Sequence, residues 1–597
     1  MYPTLFQQNE QQVKNRDKTS SSRLFKLTFT SLWIAFLVWG LSACVRGGDC
    51  RSDRACETSQ VCRVGLCTPM SLLIKNGNSC TQNHQCLSTY CIDSVCQHKP
   101  STEEALEEPH FEAPQDNLPD SKPSLDAGER VPEQASEKRP GSDREGPDSE
   151  ACKQLLCPIW GMKAGGFSYE TGLDLAVHTN GDIYVIGTFL GTTRLGSMTF
   201  TAGIGRDTFV GKLSKEGTWK WLYHLKGLRR GSSRLGQVLG TRIKVDAKGN
   251  AYVIGGFLGH LTIEKKNATK VYTTYNRQLN ANDSFIVKFS PTGEVLWSRQ
   301  FGSKGHDSLN ELIPSKNRLY ILGSYEGNAF FDNQSLQSKY PEDLYKGILL
   351  ELDTDGNLKT FTHLGPTIIS ASSMTLAPSG TLYIAHATQR RTAPKTTQRA
   401  LLAWENGKVI WSQPVPVRVI SKVIAVGKDA VYIAGQFSKE AVFADNLTLQ
   451  PASPTSLFVA QLDTKNQTFL WAKQIPNTGF KALFQTTSSQ QLIYTSAFKQ
   501  VFTLGNQTLT PLPEAHRTAY IALLSKEGKW LGAKAFLATK HSEIKSIQQS
   551  PKGPIYLTGY FDGHLYWPFQ RSKEHTKNIE STGKEDFFLF KLQFNSP

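Results

Sequence analysis

The sequence predicts an all-β protein whose main body is a seven-bladed β-propeller, closed by an outer strand taken from ahead of its first repeat. Three observations carry this. A β-rich run recurs seven times: IYVIG at Tyr184, AYVIG at Tyr252, LYILG at Tyr320, LYIAH at Tyr383, VYIAG at Tyr432, LIYTS at Tyr494 and IYLTG at Tyr556. The intervals are 68, 68, 63, 49, 62 and 62 residues, the spacing of a repeated supersecondary unit. Six outer-strand runs follow the seven copies, and the missing one has its match in residues 159–166, IWGMKAGG. A ring of blades that left one edge unpaired would expose a row of amide and carbonyl groups, so the early segment is expected to close it.

The first unit, residues 173–221, sets the pattern. An apolar run (LDLAV, strand A) leads through the turn TNGD to IYVIGTF (strand B). After a variable insert come DTFVGKL (strand C), the turn SKEG and the aromatic run WKW (strand D). Strand C recurs as DSFIVKF, YKGILLEL, RALLAWE, LFVAQLD, AYIALLS and DFFLFKL. Strand D recurs in runs such as VLWSRQFGS, VIWSQPV and FLWAKQIP. The aligned Trp221, Trp297, Trp411 and Trp471 are expected to pack between neighbouring blades. The fourth copy departs most, with a short insert rich in Arg and Thr, TQRRTAPKTTQRA.

Ahead of the repeats the composition changes four times. Residues 1–43 have the form of a targeting segment: Lys14, Arg16, Lys18, Arg23 and Lys26 precede an uncharged stretch from Leu27 to Ala43. Residues 50–98 hold two sets of four cysteines with nearly equal spacing, Cys50, Cys56, Cys62 and Cys67, then Cys80, Cys86, Cys91 and Cys96. So short a module buries almost no core and is expected to rely on disulfides, in any of 105 pairings. Zinc is the weaker reading, since there is no C-x₂-C pair and only His84 and His98 lie nearby. Residues 99–150 are rich in Pro, Glu, Asp and Ser with Phe111 as the single aromatic, a composition expected to form a disordered stalk. Cys152 and Cys157 are close enough to bridge each other at the entrance to the propeller, residues 151–597.

Charge follows the same division. Residues 101–150 hold 15 acidic against 5 basic side chains, while residues 151–597 hold 51 basic against 31 acidic, about twenty positive charges in excess. Such a domain is suited to an anionic partner.

Candidate chemistry is sparse. Asp353-Thr354-Asp355-Gly356-Asn357 looks like a calcium loop but lacks its further ligands and aligns with the strand C-to-D turns, so a tight turn is expected. Asn333, Asn446 and Asn506 fall in N-x-S/T triplets within short inserts, where Asn or Gly is expected to supply a positive-φ hairpin turn rather than a glycan acceptor. His306-Asp307 has no nucleophile motif beside it. No H-E-x-x-H, G-x-S-x-G or P-loop is present, and neither a cofactor nor a metal is expected.

Two resemblances add to this reading. Leu41-Ser42-Ala43-Cys44 resembles the lipobox of bacterial lipoproteins, which implies cleavage after Ala43, a diacylglyceryl group on Cys44 and a lipid-anchored segment 44–49. Val45 is not the Asp that retains such proteins at the inner membrane, which implies an outer-membrane or surface location. The two cysteine sets are similar to Cys-rich repeats of myxobacterial-type lipoproteins. The repeats resemble the bacterial SBBP-type β-propeller repeat, best in TRIKVDAKGNAYVIGGF and NDSFIVKFSPTGEVLWSRQFGS. Together these imply a monomeric propeller held at the membrane by its lipid, acting as a binding module for an envelope protein or anionic glycan. Export makes nucleic acid an unsuitable partner. The alternative is a propeller enzyme, a lyase, glycosidase or quinone-dependent dehydrogenase, with its site at the axial mouth.

Overall fold

The structure is a computed structural model. It describes residues 156–594 except 204, 229–235, 266–267, 276–281, 304, 338–344, 390–396, 428, 454, 476–482, 488 and 568–576, together with four short strands nearer the N-terminus. The chain divides into two compact units, Met1–Gln134 and Ala135–Pro597. In the first, Gln60–Arg63 pairs with Leu66–Pro69, and Tyr90–Ile92 with Val95–Gln97. The two ladders place Cys62 opposite Cys67 and Cys91 opposite Cys96, the same step in each cysteine set. Cys44, Cys50, Cys56, Cys80, Cys86 and Cys152 lie outside the described residues, as do the apolar run 27–43 and the segment 99–150. Among the described residues no helix is long and apolar enough to cross a membrane.

The second unit is a seven-bladed propeller. Blade 1 comprises Tyr169–Val177, Ile183–Leu190, Asp207–Leu213 and Trp219–Leu228, joined as an antiparallel meander. Each later copy repeats it, the fourth included, with Ile368–Leu376, Leu382–Gln389, Thr397–Glu405 and Lys408–Val415. The seventh takes its A, B and C strands from His541–Gln549, Ile555–Asp562 and Asp586–Phe594. Its D strand is Leu156–Gly166, three residues longer than the sequence suggested, paired from Phe587↔Ala164 to Phe594↔Leu156. Each A strand lies against the A strands of both neighbours all the way round, so these strands form the closed inner ring.

Blade-to-blade contact explains the repeated residues. Trp221 Nε1 donates to the carbonyl of Pro291 in the C-to-D turn of the next blade, and Lys212 Nζ donates to the same oxygen, at 3.1 and 3.2 Å. Trp297 and Lys288 share Thr354 O in the same way, and Trp160 and Lys591 share Lys215 O across the closing seam. Each lysine also lies over the B-strand tyrosine of its own blade, Tyr184, Tyr252 or Tyr556. The turn glycine of the next blade sits flat against the indole: a Cβ on Gly356, already at φ +79°, would come within 2.7 Å of Trp297. Trp411 likewise packs on Tyr383 of its own blade at 5.8 Å, as Trp221 does on Tyr184 at 6.2 Å, and against the core shared with blade 5.

The inserts also join blades. The hairpin Thr192–Leu195/Met198–Thr201 pairs with Gly165 and Gly166 of the closing strand, and His260–Lys265/Ala268–Thr273 pairs with the D strand of blade 1. Exposed outer edges are thereby covered. The strand C aspartates tie these inserts to strand D: Asp207 accepts from Gly203 N of the insert and from Gly227 N and His224 Nε2 of strand D, and Asp283 from Tyr275 N after the insert and from Gln300 Nε2 of strand D.

The turn expectation holds at glycine and needs correcting at asparagine: positive φ falls on Gly196, Asp332 and Gly505, not on Asn333, Asn446 or Asn506, and the residue just before Asn333 and Asn506 takes the left-handed conformation. At 353–357 the turn is self-contained. Asp353 accepts from the amides of Asp355 and Asn357, from Asn357 Nδ2 and from Lys359 Nζ, which together occupy its carboxylate.

Candidate functional site

The A strands carry a β-bulge in six blades, just before Asp174, Arg242, Glu311, Ser373, Lys422 and Ser546. A bulge re-aims the side chain that follows it. Three of these residues stitch the inner ring, each accepting a main-chain amide of the next blade: Asp174 from Ile243, Ser373 from Val423 and Ser546 from Leu175. Ser546 Oγ in turn donates to Asp174 Oδ1 at 2.6 Å.

The charged members meet inside the ring. Glu311 of blade 3 takes Lys422 of blade 5 at 2.8 Å and faces Arg242 and Lys244 of blade 2 at 3.7 and 3.9 Å, so the cluster reaches past blade 4. Burial acts to raise the Glu311 carboxyl, but Lys422, Lys244 and Arg242 outweigh it and hold it at about 2. The Lys422 ammonium is lowered by burial and by the two neighbouring cations, against the pull of Glu311. This cluster is a polar plug across the axis.

A second cluster occupies the face where A strands begin and B strands end. Glu543 pairs with Arg517 and Lys545 and accepts from the hydroxyl of Tyr560. Burial opposes its ionisation, but Lys545 and Arg517 lower its pKa. Glu585, half-buried, is raised by burial, and His541 is lowered by burial with His516 and Arg517 adding to the effect. Arg206 and Lys584 lie over the ring of Tyr169 at 5.3 and 5.2 Å. Beside it Phe167 is 88 % exposed, the most open large apolar side chain of the described residues. Four cations, Arg206, Arg517, Lys545 and Lys584, thus share one mouth with Glu543 and Glu585.

Glu170 lies beneath this mouth, fully buried, with neither carboxylate oxygen in hydrogen-bond geometry to a partner. Burial first, then Asp586, pushes it up to about 7. A raised carboxyl favours the protonated fold, so its contribution is complete below the unfolded value near 4.5 and is lost as pH rises through about 7. Glu170→Gln is therefore expected to be near neutral in urea unfolding close to pH 4. Near pH 8 it is expected to be more stable than wild type by about 3 kcal/mol. Equal curves at both values would show that the carboxyl is not buried in the folded state.

Of the residues singled out in the sequence, Cys157 is disulfide-bonded. Asp307 is buried and accepts from Ser303 N at 2.6 Å, so it caps its own loop. None of the residues at the axis or the mouth was singled out. The available signal was a charged or hydroxyl residue in the middle of otherwise apolar A runs, as in LDLAV and NELI. Among the described residues no three His, Cys, Asp or Glu side chains group as a metal site.

No protein-family model and no curated protein matches the sequence. Solved propellers resemble the fold. The Dos1 propeller has TM-score 0.38 at 8 % identity, covering 73 % of this chain and 95 % of its own. A polysaccharide lyase, ulvan lyase, has TM-score 0.38 at 10 % identity, covering 71 % and 97 %. The propeller domain of the trilobed protease from Pyrococcus furiosus has TM-score 0.35 at 9 % identity, covering 72 % and 97 %.

Proposed function

We propose that the chain is a bacterial envelope lipoprotein, with SBBP-type repeats, that displays its propeller as a binding module for anionic polysaccharide. In this reading residues 1–43 are removed, Cys44 carries the lipid, and the cysteines of 50–98 staple a small module. Residues 99–150 are the stalk, Cys152 bridges Cys157, and the protein faces the outer membrane or cell surface as a monomer.

The observation that supports binding is the mouth shared by blades 6, 7 and 1. Cations outnumber ionised carboxylates there, and Arg206 and Lys584 flank Tyr169 beside the open ring of Phe167. Aromatic faces take the apolar side of a sugar, and fixed cations take its carboxylate or sulfate. Polygalacturonate and chondroitin sulfate are expected to bind, more weakly as salt is raised, and neutral dextran is not. Arg206→Ala combined with Lys584→Ala is expected to weaken binding at least about tenfold. Equal affinity for dextran, or binding indifferent to salt, would sink this reading.

A propeller enzyme is the second reading, favoured by one observation. Glu543, Glu585 and His541 share the mouth with protonation tendencies driven in different directions, the arrangement acid–base catalysis uses. It requires that an acidic polymer shorten on incubation and that Glu585→Gln stop the shortening.

A further inference from the structure

Two seams of the ring are built on one main-chain frame. Between blades 7 and 1, the amides of Lys584 and Glu585 donate to Ser168 O at 3.0 and 3.2 Å, and Glu170 N donates back to Glu585 O at 2.8 Å. Between blades 6 and 7, the amides of His516 and Arg517 donate to Lys540 O at 2.8 and 3.2 Å, and Ser542 N donates back to Arg517 O at 2.9 Å. Each frame carries a parallel bridge, Tyr169 with Glu585 in the first and His541 with Arg517 in the second. Tyr169 is thus the counterpart of His541, and Lys584 that of His516. Lys584 lies over the Tyr169 ring at 5.2 Å, and the His516 ring lies against that of His541, their centroids 5.4 Å apart.

The exchange of residues changes when the seam carries charge. Lys584 is a permanent cation, whereas an imidazole is charged only in acid. Two of the permanent cations beside the histidines are already engaged, Arg517 with Glu543 and Lys540 with Asp562 at 3.2 Å. Lys499, just past the B strand of blade 6, and Arg517 act on His541 as like charges, and Asp562 as an opposite one. His516 is exposed and His541 half-buried, so the pair is reached from solvent at the mouth. Two imidazoles this close resist being charged together, because each protonated ring repels the other. An anion held at the pair offsets that repulsion.

We propose that His516 and His541 form a second anion subsite of the mouth, which takes an oxyanion of an acidic glycan, a sulfate ester or a carboxylate, when its rings are protonated. It rests on the reading of the propeller as a polysaccharide-binding module, and adds to it a neighbouring contact and a control by pH. The cations between blades 7 and 1 are permanent; those between blades 6 and 7 appear in acid. Protonation and anion binding are linked, so acid raises the affinity of the mouth for the glycan. Without a ligand, His541 is held below the usual histidine value by burial, with His516, Arg517 and Lys499 adding to the effect against Asp562. The gain therefore begins below about pH 6.5 and grows toward pH 5. Glu585, raised by burial, also loses charge as pH falls, so the histidines are tested apart from it.

Binding titrations at constant ionic strength test this with dextran sulfate, whose anionic groups are sulfate esters, and with polygalacturonate, whose anionic groups are carboxylates. Affinity is expected to rise at least about tenfold from pH 8 to pH 5, as it does when a ligand raises the pKa of one histidine by about one unit. The polymer with the larger rise identifies the group recognised. His516→Gln combined with His541→Gln is expected to lose most of the rise, and His516→Gln alone, at an exposed position, to lose part of it without affecting folding. Glu585→Gln is expected to keep most of it. A rise of unchanged size in both histidine variants overturns the subsite. Binding at pH 8 with a flat profile removes the subsite and leaves the module. Binding that appears only below about pH 6 and survives Arg206→Ala with Lys584→Ala keeps the subsite and removes the one between blades 7 and 1.

Discussion

A chain that begins at Phe167 is expected to lose the cooperatively unfolding propeller, whereas one that begins at residue 151 keeps it. The strand Leu156–Gly166 fills the outer position of blade 7, where it pairs from Phe587 to Phe594. It also receives the first insert hairpin through Gly165 and Gly166, and Trp160 donates to Lys215 O of blade 1. Leu156 is fully buried, Ala164 nearly so, and Trp160 and Met162 pack on the core between blades 7 and 1. Each large apolar side chain returned to water costs about 1.5–3 kcal/mol, so losing the strand removes more than about 5 kcal/mol. That is a large part of the 5–15 kcal/mol by which a folded protein is ordinarily stable. Calorimetry should show a broadened or absent transition, and a peptide of residues 156–166 added in trans should restore part of it. A melting temperature within a few degrees of the longer chain would mean that the ring does not depend on this seam.

Glu311→Gln is the point substitution expected to cost most. It leaves Lys422, Lys244 and Arg242 facing one another across the axis without their shared carboxylate, and breaking a buried ion pair from one side typically costs 3–5 kcal/mol. Adding Lys422→Met should return part of that loss, since the two effects are coupled. The pH dependence has a definite sign. The folded carboxyl lies at about 2, below its ordinary 4.5. Its contribution is therefore complete above about 4.5 and lost as pH falls through about 2, a span worth about 3 kcal/mol. Urea unfolding of wild type should show this acid limb, and Glu311→Gln should lack it. Parallel acid limbs would show that the carboxylate is not held by the three cations.

Much of the fold was legible because a propeller blade is a local unit. Strands B, C and D are consecutive, and Tyr184, Phe209 and Trp221 recur in step because each packs against the same neighbours in the next copy. Trp411 keeps the same place, on Tyr383 of its own blade as Trp221 lies on Tyr184, and against the core shared with blade 5. The axial and mouth residues were not legible. Glu311 and Lys422 are 111 residues apart, and Arg206 and Lys584 lie further apart still, so no sequence window contains both partners.

The sequence by itself determined the number of blades, the order of their strands and the need for an early strand to complete the last one. Those follow from local periodicity and from the cost of an unpaired edge. Only the tertiary structure decided which side chains meet at the axis and at the mouth. Closure of the ring brings the first strand of every blade to one centre, and electrostatic partners are chosen by that geometry, not by distance along the chain.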